Sequence, residues 1–137
     1  MDIADRLALH ELVALYGDTI DNRDWDGLGR VFTDDMVMTN PAMPGRDLVG
    51  LALLRKFMSR ARHPLTHLIS NVRVDEEDDG PVVHSRVLLL ADDGTASAGE
   101  YHDRMVRTDD GWRIRHRTYI ARVRPAGDPP APERPAG

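Results

Sequence analysis

The sequence predicts an α+β domain: about three N-terminal helices packed on a curved mixed, mostly antiparallel sheet that encloses a pocket. Three observations predict it. Apolar residues recur at helical spacing up to about Arg62. After His63-Pro64 the period changes to strict alternation. The alternating runs are separated by short acidic or glycine turns, which indicates hairpins between neighbouring strands. Helices first and a meander afterwards is the order of an α+β domain, since α/β chains interleave the two.

Residues 2 to about 20 read as the first helix, with Leu9, Leu12, Val13, Tyr16 and Ile20 on one stripe and Asp2 and Asp5 at its positive end. Asp21-Asn22-Arg23 is a turn. Asp24 then caps a short helix carrying Trp25, Leu28 and Val31-Phe32, which ends at Thr33-Asp34-Asp35. A strand follows at Met36 to Thr39. Two prolines and a glycine make Asn40 to Gly45 irregular. The third helix starts near Asp47 and runs to about Arg62, with Leu51, Leu54, Phe57, Met58 and Ala61 inward. Strands are expected at about 65–75, 81–91, 96–108 and 112–124. Residues 1–124 form the domain, and 125–137 are a Pro/Ala/Gly-rich tail expected to be disordered.

At 137 residues with 41% hydrophobic content, the chain is the size of one domain with a real core. A net charge of -5 argues against a nucleic-acid partner. The arginines at 113, 115, 117, 122 and 124 read as a solvated or ion-paired strand face. The absence of cysteine removes disulfides, thiol nucleophiles and thiolate metal sites. No apolar run is long enough to span a membrane, and the acidic N-terminus is unlike a secretory signal. The expectation is a cytoplasmic protein without a membrane partner.

The candidate chemistry lies at the end of the first helix. Tyr16 is a phenol on an apolar stripe and needs a hydrogen-bond partner. Asp21 follows at a helix end close to the interior, where a carboxylate needs one still more. In the strand 96–108, Tyr101, Asp103 and Met105 share a face by alternation. Asp103 there is either a proton donor with a pKa raised by burial or the ion partner of Arg117. His67, Ile69 and Asn71 also share a face, with Asn71 available to a ligand, and Trp25 is placed to line a pocket mouth. Met36, Met38, Met43 and Met58 suit an adaptable apolar pocket or an ordinary core. His63 and His67 have a metal-ligand spacing for a helix, but Pro64 intervenes and no third ligand is evident, so no metal is expected.

The order Tyr16…Asp21, Asp24-Trp25-Asp26, Val31 to Asp35, Thr66-His67, Gly99 to Asp103 and Arg107 to Ile114 resembles the SnoaL-like branch of the nuclear transport factor 2-like superfamily, over roughly residues 3–123. The resemblance implies a cone-shaped fold with a deep pocket between helices and concave sheet, and a homodimer through the outer sheet face. Asp21 and His67 fall where dehydratase and dehydrochlorinase members pair a helix-end aspartate with a strand histidine. Tyr16 stands one turn before the aspartate, as in bile-acid dehydratases. Against ketosteroid isomerases, Tyr16 matches the oxyanion tyrosine and Asp103 the acid beside it, but Asn40 replaces the base and cannot take a proton. Leu89 stands near the place of the second strand histidine of scytalone dehydratase.

Asp21 would then hold the tautomer of His67, whose pKa the carboxylate is expected to raise, and Tyr16 would polarise an oxygen. The structural alternative is an aspartate capping a turn and a satisfied histidine in the sheet. The expected function is a cofactor-independent lyase, a dehydratase or cyclase, acting on a small apolar oxygenated molecule. Asp21, His67, Tyr16 and Asp103 are its candidate catalytic residues, and Asn71, Trp25, Asn40, Tyr101 and Ile69 its substrate-binding ones. The alternatives are a non-catalytic small-molecule-binding or dimerisation module and a ketosteroid-isomerase-like isomerase.

Overall fold

The computed structural model describes residues 1–136. Helix α1 (Ile3–Asp21) opens with Asp2, whose side chain accepts from the Asp5 amide at 2.8 Å. It buries Leu9, Leu12, Val13, Tyr16 and Ile20, the stripe that the spacing predicts. Gly17 on the same face lets the helix approach the sheet closely: a Cβ there would meet the His67 carbonyl and the Ile69 side chain at 3.4 Å.

The second expected helix is a single 3-10 turn, Asp26–Arg30. Asp24 still caps it, accepting from the Gly27 amide at 3.0 Å. Glycines 27 and 29 weaken a helix here, and the next residues belong to the sheet. Strand β1 (Phe32–Thr39) starts four residues earlier than Met36, with the Ile114 amide donating to Val31 O at 2.8 Å. The third helix is shortened likewise. Leu48 and Val49 form strand β2 (Leu48–Val49) against Met38 and Val37. Gly50, at φ 92, turns the chain into α2 (Leu51–Arg60). Leu51, Leu54 and Met58 are inward as expected, whereas Phe57 is half exposed and Ala61 lies past the helix end. The domain therefore carries two helices and one 3-10 turn where three helices were expected.

Strands β3 (Thr66–Glu77), β4 (Gly80–Leu90), β5 (Ala96–Thr108) and β6 (Gly111–Ala121) form an antiparallel meander. Strand β1 joins β6 in parallel, giving one six-stranded mixed sheet in the order β2-β1-β6-β5-β4-β3. Helix α1 packs chiefly on β3, and the core lies between the helices and this face.

Two irregularities decide which side chains face that core. In β3 the pairing shifts between Ser70 and Arg73, and Asn71 takes a left-handed φ of 52°. Inward packing passes from Ile69 to Val72 and Val74, so Asn71 becomes exposed. In β6 the pairing with β5 shifts around Arg115. Ile114 is inward before the shift and Arg117 after it. Residues 122–136 carry no helix or strand, and Gly137, the last residue of the expected disordered tail, lies outside the described residues. Among the described residues no helix is long and apolar enough to cross a membrane.

Candidate active site

Asp21 sits in the last position of α1, facing the start of β3. Its carboxylate is held by three groups of that strand. The Thr66 hydroxyl donates to Oδ2 at 2.8 Å, the His67 amide reaches both oxygens at 3.0 Å, and His67 Nδ1 lies 2.7 Å from Oδ1. A carboxylate only accepts, so Nδ1 carries the proton and Nε2 presents its lone pair. Among the described residues no protein group hydrogen-bonds Nε2. The His67 side chain is 6% exposed, and that of Asp21 17%. Burial pushes the His67 pKa below its ordinary value, against the upward pull of the Asp21 hydrogen bond and charge, with His63 and Arg117 adding smaller downward pulls. The expectation of a raised pKa is thus corrected: desolvation of the imidazolium outweighs the carboxylate beside it.

A second acid–base pair lies one layer deeper. Arg117 on β6 and Asp103 on β5 are register partners, both 0% exposed. Nε donates to Oδ1 at 2.7 Å and Nη2 to Oδ2 at 2.8 Å, the bidentate geometry of a charge-assisted pair. The guanidinium carbon stands 4.0 Å from the centroid of the Tyr16 ring and 3.7 Å from that of Tyr101, so π-faces cover the cation. Its Nη1 has no hydrogen-bond partner. The Asp103 charge and hydrogen bond hold the arginine pKa above its ordinary value although burial opposes them. Asp103 gives both oxygens to Arg117 and is the arginine's ion partner, one of the two roles its place on the strand allowed. Arg117, expected on a solvated or ion-paired face, is fully buried.

Tyr16 joins the two pairs. Its ring is edge-on to His67 at 6.0 Å and to Tyr101 at 5.6 Å. Burial raises the pKa of both phenols, so both are neutral donors at physiological pH.

Tyr16 and Tyr101 also face a cavity of about 400 Å³ between the sheet, α2 and the 40s loop. Its apolar wall is Met38, Met43, Leu48, Phe57 and Leu89, and its polar groups include Tyr119, Thr39, Asn40 and Arg46. Met38 and Met43 line this wall, while Met36 and Met58 are core. The Tyr119 ring rests on Gly99, where a Cβ would come within 2.4 Å of it. His67 does not line the cavity. Its neighbours Tyr16 and Leu89, the latter its register partner, do.

The remaining candidates divide. Asn40 and Tyr101 line the cavity, although Asn40 Oδ1 is occupied by the Ala42 amide at 3.0 Å. Ile69 packs under α1 at Gly17 and belongs to the core edge. Asn71 does not share a face with His67 and Ile69: the bulge turns it to a depression with His84, Arg86 and His102. Trp25 is tilted over His63 at 5.3 Å and does not line the cavity. His63 Nε2 is engaged by Met58 O at 2.6 Å. Sequence reasoning gave no site role to Thr66, Arg46 or Tyr119, and named Arg117 only as a possible ion partner of Asp103. The hydroxyl next to His67 was the one available signal among them.

The chain belongs to the SnoaL-like domain family, whose model matches residues 1–118. It is 33% identical over 126 residues to an uncharacterized protein of Mycobacterium tuberculosis, covering 82% of each chain. Among solved structures it is similar to a function-unknown protein of the same organism, with a TM-score of 0.73 and 27% identity over 92% of this chain and 76% of that one. It also shares the fold of a protein described as a putative scytalone dehydratase from Novosphingobium aromaticivorans, with a TM-score of 0.72 and 19% identity over 93% and 97% of the two chains.

Proposed function

We propose that this member of the SnoaL-like family is a cofactor-independent lyase, a dehydratase or cyclase, acting on a small apolar oxygenated molecule. The observation that carries the reading is the 2.7 Å contact of His67 Nδ1 with Asp21 Oδ1, which leaves Nε2 unprotonated and without a partner. Nε2 takes a proton from a carbon next to a carbonyl. The freed electron pair forms the C=C bond as the neighbouring C–O bond breaks, and the imidazolium returns its proton to the departing hydroxide. In a cyclase the same carbanion attacks a second carbonyl. Tyr16 and Tyr101, neutral and cavity-facing, donate to the oxygen on which charge gathers. Asp103 supports this set only through Arg117, beneath the phenols.

Asp21→Asn tests the assignment, since an amide donates to Nδ1 and moves the imidazole proton to Nε2. Turnover of enolisable hydroxyketones should fall by about two to four powers of ten, with the domain still folded by circular dichroism. Unchanged turnover would sink the dyad.

One observation favours a second reading. His67 is almost fully covered and is absent from the cavity wall, as in a non-catalytic binding module whose histidine is structural. Leu89→Ala separates the two: it enlarges the cavity next to His67, and a base held behind that side chain gains access to substrate. We also propose a homodimer through the outer sheet face, where the register partners Leu68 and Leu88 are 53% and 42% exposed.

A further inference from the structure

The cations of this chain are not distributed at random with respect to their partners. Most arginines of the domain donate to a carboxylate or a backbone carbonyl: Arg6 to Glu76, Arg30 to Asp24, Arg55 to Trp25 O, Arg86 and Arg122 to Glu100. Outside the C-terminal tail, the side-chain cations with no hydrogen-bond or ion-pair partner among the described residues are Arg46, Lys56 and Arg60. All three line two adjoining depressions. Arg46 lines the cavity. Lys56 and Arg60 line a groove of about 340 Å³ on α2 that shares Leu48 and Phe57 with the cavity wall, so groove and cavity adjoin. Neither the cavity nor the groove has an Asp or Glu in its lining, although the whole chain is acidic, with a net charge of -5.

We propose that the cavity takes an amphipathic organic acid, with its apolar body on Met38, Met43 and Leu89 and its anionic head on Arg46, Lys56 and Arg60. An apolar wall without carboxylates does not repel an anion, and three unpaired cations along the cavity and its adjoining groove attract one and fix its orientation. The head on these cations places the opposite end of the ligand at Tyr16 and Tyr101, beside the dyad. This inference rests on the cavity of the proposed function and not on its chemistry.

The test compares a matched pair of probes, 2-naphthylacetate and the neutral 2-naphthylacetamide, by isothermal titration calorimetry at pH 7.5 and low salt. The acid should bind the wild-type protein about tenfold more tightly than the amide, as expected for a charge-assisted contact. That preference should shrink as salt is raised and vanish in the triple variant Arg46→Gln/Lys56→Gln/Arg60→Gln, with amide binding retained. Equal binding of the two probes, binding of neither, or a preference that survives in the triple variant would overturn the proposal. His67→Gln should bind both probes as the wild type does. A protein that prefers the acid but turns nothing over would therefore remove the lyase reading alone, and one that dehydrates neutral ketones without preferring acids would remove this inference alone.

Discussion

Asp21–His67 and Asp103–Arg117 are both an aspartate hydrogen-bonded to a nitrogen base at 2.7 Å, yet they do opposite things. The first joins a helix end to the edge strand β3, and its carboxylate keeps 17% side-chain exposure. Its base has a pKa lowered from 6.5 by burial and one nitrogen without a partner. The second spans two central strands with no exposure, and its base is held charged above the ordinary arginine value. Only the first can accept a proton near neutrality. The second is a fixed charge pair that positions two phenols. Burial alone does not make an acid–base pair catalytic; the pair needs a base that titrates in reach of pH 7 and a free nitrogen.

The largest effect that would break this comparison is on stability. Arg117→Met leaves the Asp103 carboxylate buried without a partner and should cost about 3–5 kcal/mol in urea unfolding. Arg117→Met/Asp103→Leu should recover most of that loss, since a well-packed apolar pair is a fair substitute for a buried ion pair. A double variant as unstable as the single one would contradict the fixed-pair account.

A smaller effect separates the pairs by pH. The unfolded chain takes up a proton at His67 near pH 6.5, and the folded chain does so only at lower pH. Between these values the unfolded state binds more protons, so stability is full above 6.5 and declines as pH falls through it. In the same way, kcat/KM should be flat above pH 6.5 and fall below it, following the protonation of the folded histidine. The profile should persist in Tyr101→Phe and disappear in His67→Gln.

How much of this was legible in the sequence follows from where the chain is regular. The stripe of α1 and the meander were readable because period and turns agree over long runs. Phe32 to Asp35 and Leu48-Val49 were misread as helix because their strand pairing comes from Ile114 and from β1 itself, contacts that no local pattern encodes. The bulges moved two side chains. Alternation put Asn71 with His67 and grouped Arg117 with Arg113 and Arg115 on a solvated or ion-paired face. One irregularity in each strand leaves Asn71 exposed and Arg117 buried on Asp103, the ion pair that the strand face of Asp103 had suggested. Tyr16 was readable on the apolar stripe of α1, whereas the pairing of Asp21 with His67 came from the family resemblance; the structure brings those two side chains within 2.7 Å.

The smallest prediction concerns that bulge. Asn71 has a left-handed φ that asparagine tolerates and β-branched residues do not. Asn71→Val should cost about 1–2 kcal/mol in thermal unfolding, and Asn71→Gly should be neutral within about 0.5 kcal/mol. A neutral valine would mean that the strand runs through without the bulge, with Asn71 back on the His67 face.

The most direct test of the dyad is an NMR titration of the His67 ring, with nitrogen shifts to read the tautomer, in the wild type and in Asp21→Asn. The wild-type pKa should lie below 6.5, with the neutral ring protonated at Nδ1. In the variant the pKa should fall further, since the upward pull of the carboxylate is gone, and the proton should move to Nε2. Identical pKa and tautomer in both proteins would contradict a coupled dyad, and with it the claim that His67 is the base.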